Sequence, residues 1–236
     1  MKRTLAIWSI LCLPLVAGTL TFEEPTQEIT TGVDAAVVTA DFKFKNESDE
    51  DVVIEKYDAA CTCINAQIKD SKLAYKPGES GVIRAAFDMG QFSGTNDKSI
   101  ALWLKGDPAA KPSIVLTARI TIPVLVEVEP KSLIWEIGTK AEARTVDITM
   151  KHDEPIRVTS VSGADARFKY ELKTVEEGKK YQVVVTPAST QQVGMGVIHI
   201  ETDCKIQRHR SHRIFTVIRQ PLPKPAAQAA TPAKQP

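Results

Sequence analysis

Two sulfurs one residue apart are the chemically pointed feature of this sequence: Cys61-Thr62-Cys63. In an extended strand residues i and i+2 share a face, so this spacing predicts both side chains directed the same way. Three roles stay open for such a pair. As thiolates they are soft ligands for Cu(I) or Zn(II), but two ligands fall short of a structural zinc shell. As a disulfide they need the chain to bend, and a strained, exposed disulfide is readily reduced. The β-branched Thr62 opposes that bend. As plain core residues they need no chemistry, and cysteine is among the most buried residue types, which makes this the simplest of the three.

Other chemistry is sparse. A nucleophile elbow, a zinc-protease helix motif, a phosphate loop and a haem-attachment motif are all missing from the sequence. Glu55 and Asp58 lie near Cys61, but no histidine is close enough in sequence to serve as a base for a thiol. His152, His199, His209 and His212 all fall in the second half of the chain, as does Cys204. The expectation is a protein that is not an enzyme and holds no cofactor. A basic run, Lys205, Arg208, His209, Arg210, His212 and Arg213, reads as a solvated hairpin loop. Its alternative role is contact with an anionic envelope surface, through Lys205, Arg208, His209, Arg210 and Arg213.

The elements that position these residues read as β throughout. Ala36 to Phe44 alternates, with Val38, Ala40, Phe42 and Phe44 on one face. Val52 to Ile54, Asn65 to Ile68, Val82 to Phe87, Ile100 to Leu104 and Ile114 to Ile122 continue the pattern. Turn signals separate them at Lys76-Pro77-Gly78-Glu79 and Gly106-Asp107-Pro108. Short strands at such spacing indicate a sandwich.

From Pro123 the plan repeats. Val124 to Leu133 reads as another opening strand, Ile134 to Gly138 parallels Glu28 to Gly32, and Arg144 to Met150 parallels Ala36 to Phe44. Ile156 to Val158, Tyr181 to Val185 and Val197 to Ile200 answer Val52 to Ile54, Val82 to Phe87 and Ile100 to Leu104. The second copy has Gly163 to Arg167 where the first has its cysteines. The expected fold is all-β, two tandem immunoglobulin-like sandwiches over 19–122 and 123–219.

The ends read differently. Lys2 and Arg3, an apolar run from Leu5 to Val16 and the small residues Ala17 and Gly18 predict a cleaved signal peptide over 1–18. The region 220–236, beginning Gln220-Pro221-Leu222-Pro223, predicts an extended, disordered tail. The expected location is the periplasm or cell envelope, with no spanning segment in the mature chain. Export allows disulfides to persist, and the three mature cysteines leave at least one unpaired within the chain. With 30 Lys and Arg against 29 Asp and Glu, nothing draws the protein toward nucleic acid. A protein or envelope component is the expected partner.

An ordered set of motifs carries a resemblance: Phe42-x-Phe44-x-Asn46, Val52-x-Ile54, Cys61-x-Cys63, Pro77-Gly78-Glu79-x-Gly81, and Gly94 before Lys98-x-Ile100. Over residues 20–122 the chain resembles the bacterial exported family known only as domain of unknown function fifteen-seventy-three, near the ASH and major-sperm-protein-like domains. The family usually has Gly between its cysteines and Thr after them, where this chain has Thr62 and Ile64. The resemblance implies an immunoglobulin-like sandwich and an envelope location, and no reaction.

Overall fold

Period-two burial is the rule along the strands, and it decides the architecture. The computed structural model describes residues 19–163 and 165–221; the stretch 1–18 expected as a signal peptide, and the expected tail beyond Pro221, lie outside the described residues. The chain divides into two compact units between Ile122 and Pro123.

The first unit comprises β1 (Leu20–Phe22), β2 (Thr26–Thr30), β3 (Val37–Asn46), β4 (Val52–Ala59), β5 (Ile64–Ile68), β6 (Ala74–Tyr75), β7 (Ser80–Asp88), β8 (Gly94–Leu104) and β9 (Ile114–Ile122). One sheet has the order β1-β3-β7-β5 and the other β2-β9-β8-β4-β6. Leaving aside the short β2 and β6, this is the first-second-fifth-fourth and seventh-sixth-third arrangement of an immunoglobulin-like sandwich. Phe42, Phe44, Ile83, Ala85 and Phe87 from one sheet meet Ile54, Ile100, Leu102, Leu116 and Ile120 from the other in a single core.

The second unit comprises β10 (Val126–Glu129), β11 (Ser132–Glu136), β12 (Arg144–Met150), β13 (Val158–Gly163), β14 (Phe168–Glu176), β15 (Lys180–Pro187), β16 (Gly194–Thr202) and β17 (Ser211–Arg219). Its sheets run β10-β12-β15-β14 and β11-β17-β16-β13. Each strand of the first unit except β6 has a counterpart here. Trp135, Val146, Ile148, Tyr181, Val183 and Ile200 fill its interior.

The run Val124 to Leu133, expected as one strand, is two. β10 pairs antiparallel with β12 on one sheet, and β11 pairs parallel with β17 on the other. Pro130 stands between them; lacking an N–H it cannot continue a ladder, and the chain changes sheet there. Pro25 stands at the same step between β1 and β2, where β2 pairs parallel with β9.

Candidate functional site

The cysteines do not lie in a strand. Residues 60–63 form the turn joining β4 to β5, and the Ile64 N–H donates to the Cys61 carbonyl at 3.2 Å. Contrary to the expectation of an extended pair, this turn folds the backbone back despite Thr62, bringing the two Cα atoms to 5.2 Å with the sulfurs joined as a disulfide. The separation lies inside the ordinary disulfide range. Both cysteines are half-buried, resting on the edge of the core. The third, Cys204, is buried and free.

A turn of the same design occurs in the second unit without sulfur. There Phe168 N–H donates to the Asp165 carbonyl at 3.1 Å, and Ala188 N–H to the Arg167 carbonyl at 2.7 Å. The counterparts are Ile64 to Cys61 and Asp88 to Cys63, the latter at 2.8 Å. Cys61 and Cys63 thus stand where Asp165 and Arg167 stand, and the latter two form an ion pair at 2.6 Å. Arg167 holds the Asp165 carboxyl down to about 2. The backbone hydrogen bonds make the turn in both units; what spans it differs.

One residue near the disulfide was not singled out for chemistry. Lys98 projects inward from β8, nine-tenths buried, with its Nζ 3.4 Å from Cys63 Sγ and 3.6 Å from the centre of the Phe92 ring. The Ala60 N–H donates to the Ser99 carbonyl at 3.1 Å, which ties the cysteine turn to β8 beside Lys98. The signal for it was available, because an ammonium at an inward position of an alternating strand conflicts with the pattern around it. Glu55 and Asp58 do not join this group: both are exposed on β4, and Asp58 pairs with Lys56 at 3.5 Å.

The basic run is not one surface. Arg208 and His209 are buried, Arg210 turns back to donate to the Cys204 and Lys205 carbonyls, and Lys205 pairs with Glu154. Arg213 faces outward from β17, and Lys205 and Arg210 are exposed as well. The solvated loop is therefore corrected to a short 3-10 turn over Gln207–His209 whose inner side closes the core. Of the five candidates for an anionic-surface contact, Lys205, Arg210 and Arg213 are exposed and Arg208 and His209 are buried.

His209 accepts from the Leu125 N–H at 3.4 Å and stacks on His212. Burial first, then for His209 the neighbouring His212, holds both imidazoles below the ordinary histidine value of 6.5. The unfolded chain therefore takes up protons before the folded one as pH falls past about 6.5, and stability present above that value is lost downward through the folded values. The urea midpoint of the second unit should fall between pH 7.5 and pH 5, and less so in His209→Gln. A flat profile in the unaltered chain would contradict this.

With these positions fixed, the family comparison bears on the first unit. Residues 20–120 match the family model described as Protein of unknown function (DUF1573). Over these residues the first unit is similar to a DUF1573 domain. The cysteine turn and Lys98 both lie within the matched stretch. Among curated proteins nothing matches the chain. Three solved structures show how far the likeness extends at the level of coordinates. A protein of unknown function from Porphyromonas gingivalis W83 aligns with 84% of this chain and 98% of its own at 10% identity, with a TM-score of 0.34. The secreted serine protease VesC from Vibrio cholerae aligns with 84% of this chain and 49% of its own, at 9% identity and a TM-score of 0.34. Titin Ig tandem domains A164-A165 align with 86% and 98%, at 6% identity and a TM-score of 0.31. Likenesses this distant carry no argument about function.

Among the described residues no helix is long and apolar enough to cross a membrane. Among the same residues no group of three or more His, Cys, Asp or Glu side chains is placed to hold a metal ion.

Proposed function

We propose that this chain is an exported module of the bacterial cell envelope whose working group is the Cys61–Cys63 disulfide, exchanged with thiols of a partner protein. The observation that carries the reading is the half-exposed disulfide in a turn that the second unit builds without sulfur. A disulfide stabilises chiefly by constraining the unfolded chain, and a ring with a single intervening residue yields only about 1.6 kcal/mol, against about 3 kcal/mol for a 15-residue loop. As a staple it contributes little. As a reactive group it is well placed, since exchange requires access to a sulfur.

The second reading is a non-catalytic interaction or scaffold module in which the sulfurs take no part. It is favoured by the outer face of the β16–β17 pair, where Met195 and Phe215 are exposed and Val197 and Val217 are half-buried beside them.

Mass measurement on the folded, exported chain separates the two. The exchange reading expects a pair two hydrogens lighter than the dithiol that dithiothreitol reduces within minutes at pH 7 without denaturant. A pair that yields only after unfolding would leave the scaffold reading.

A further inference from the structure

We propose that Lys98 decides which sulfur leaves: a partner thiolate attacks Cys61, and Cys63 departs as a thiolate held by the Lys98 ammonium. The inference rests on the exchange reading above and assigns the residue that directs it.

Three observations converge on this. First, Lys98 Nζ lies 3.4 Å from Cys63 Sγ. That is hydrogen-bonding distance for sulfur, and the ammonium is already beside the atom that would gain negative charge. Second, the fold does not ask for a lysine at this position. Gly94 and Gly194 open β8 and β16, paired with Ile122 and Ile218; four residues on, Lys98 pairs with Ala118 and Ile198 with Ile214. The second unit thus fills the same inward place with Ile198, which is 2% exposed. Burying an ammonium where isoleucine fits is costly unless the charge has a use. Third, the two substitutions occur together. The unit with an ion pair across its turn has isoleucine beneath it, and the unit with a disulfide has lysine. Phe92 lies against the ammonium, 3.6 Å from ring centre to Nζ, a cation–π contact that helps hold it beside the sulfur.

The chemistry balances with a partner dithiol as the only co-reactant. One partner thiol loses its proton, and its sulfur forms a bond to Cys61 Sγ. The Cys61–Cys63 bond breaks and its electron pair remains on Cys63. The partner's second thiol, having lost its proton, then attacks the sulfur of the partner's first thiol in the mixed disulfide, forming the partner's disulfide and releasing Cys61 as a thiolate. The partner ends oxidised, and the two protons it gave up return to Cys61 and Cys63. A thiolate leaves faster as its thiol becomes more acidic, and a fixed neighbouring ammonium has that effect.

The test uses the whole mature chain, glutathione as attacking thiol, and two variants: Lys98→Ile, which installs the residue of the second unit, and Lys98→Arg, which keeps the charge. In the unaltered protein, rapid acid quenching and peptide mass mapping should find glutathione on Cys61. Lys98→Ile should slow reduction about tenfold, spread glutathione over both cysteines and raise the pH at which Cys63 of the reduced protein alkylates. Lys98→Arg should stay close to the unaltered rate. Circular dichroism checks that each variant is folded. If the unaltered disulfide resists glutathione in the folded state, the exchange reading itself fails. If it reacts, but Lys98→Ile reacts as fast and with the same preference, the role of Lys98 is overturned while the exchange reading stands.

Discussion

Replacing Gly81 by alanine should cost the first unit about 3 kcal/mol, the upper part of what an overfilled core ordinarily loses. A Cβ at this position would stand 2.4 Å from Phe44 Cζ and 2.7 and 2.8 Å from Cε1 and Oη of Tyr75. Neither ring is free to retreat. Phe44 and Tyr75 are 2% and 1% exposed and pack edge to face with centres 4.8 Å apart. The Tyr75 hydroxyl is held as well, donating to the Lys72 carbonyl at 2.7 Å. Gly78, three residues earlier, provides the contrast. It has open space around its Cα but a φ of +79° in the turn after Pro77. Gly78→Ala should therefore cost only about 1 kcal/mol, for backbone strain alone. Urea denaturation followed by circular dichroism checks both. A Gly81→Ala loss below that of Gly78→Ala would show that the rings move aside.

The two glycines also show what the sequence can and cannot convey. Gly78 was legible: Pro followed by Gly between two strands is a turn whose geometry follows from backbone preferences. Gly81 appeared in the motif as a conspicuous residue with no stated reason. Its reason is a contact with Phe44 and Tyr75, residues 37 and 6 positions away in the chain. The all-β character was legible because burial alternates along each strand, and alternation is local. The cysteine turn was not, since Thr62 argues for extension and the opposing influence is a backbone hydrogen bond from Ile64 that local preference does not reveal. Arg208 and His209 were misread for a related cause. A run of charges looks solvated until the sheet it joins turns two of them inward. Lys98 was passed over as one letter of a motif. Its inward place follows from the alternation of β8, but only the turn above it shows which atom it meets.

Asn46→Ala should cost about as much as the Gly81 substitution, again roughly 3 kcal/mol, because it removes four hydrogen bonds at once, one of them buried and three half-buried. Asn46 ends β3 and is fully buried. Its Nδ2 donates to the carbonyls of Glu50 and Tyr75, each at 2.8 Å, and its Oδ1 accepts from the N–H and hydroxyl of Ser48 at 3.0 and 2.7 Å. One amide thus closes the β3–β4 turn and ties it to β6. The main chain adds two further links, Asn46 N–H to the Glu79 carbonyl and Gly78 N–H to the Asn46 carbonyl, both at 2.8 Å. Alanine keeps those main-chain bonds and loses all four side-chain ones. Asn46→Asp supplies the decisive comparison. A carboxylate accepts from Ser48 as before but directs negative charge at the two carbonyl oxygens, of Glu50 and Tyr75, to which the amide donated. It should be at least as damaging as alanine at pH 7, and should recover part of the loss near pH 4, where the introduced carboxyl is protonated and can donate once. If the aspartate variant were as stable as the unaltered protein at pH 7, the two carbonyls would not depend on the amide, and the packing of β6 onto β4 would have to be explained by its short ladder alone.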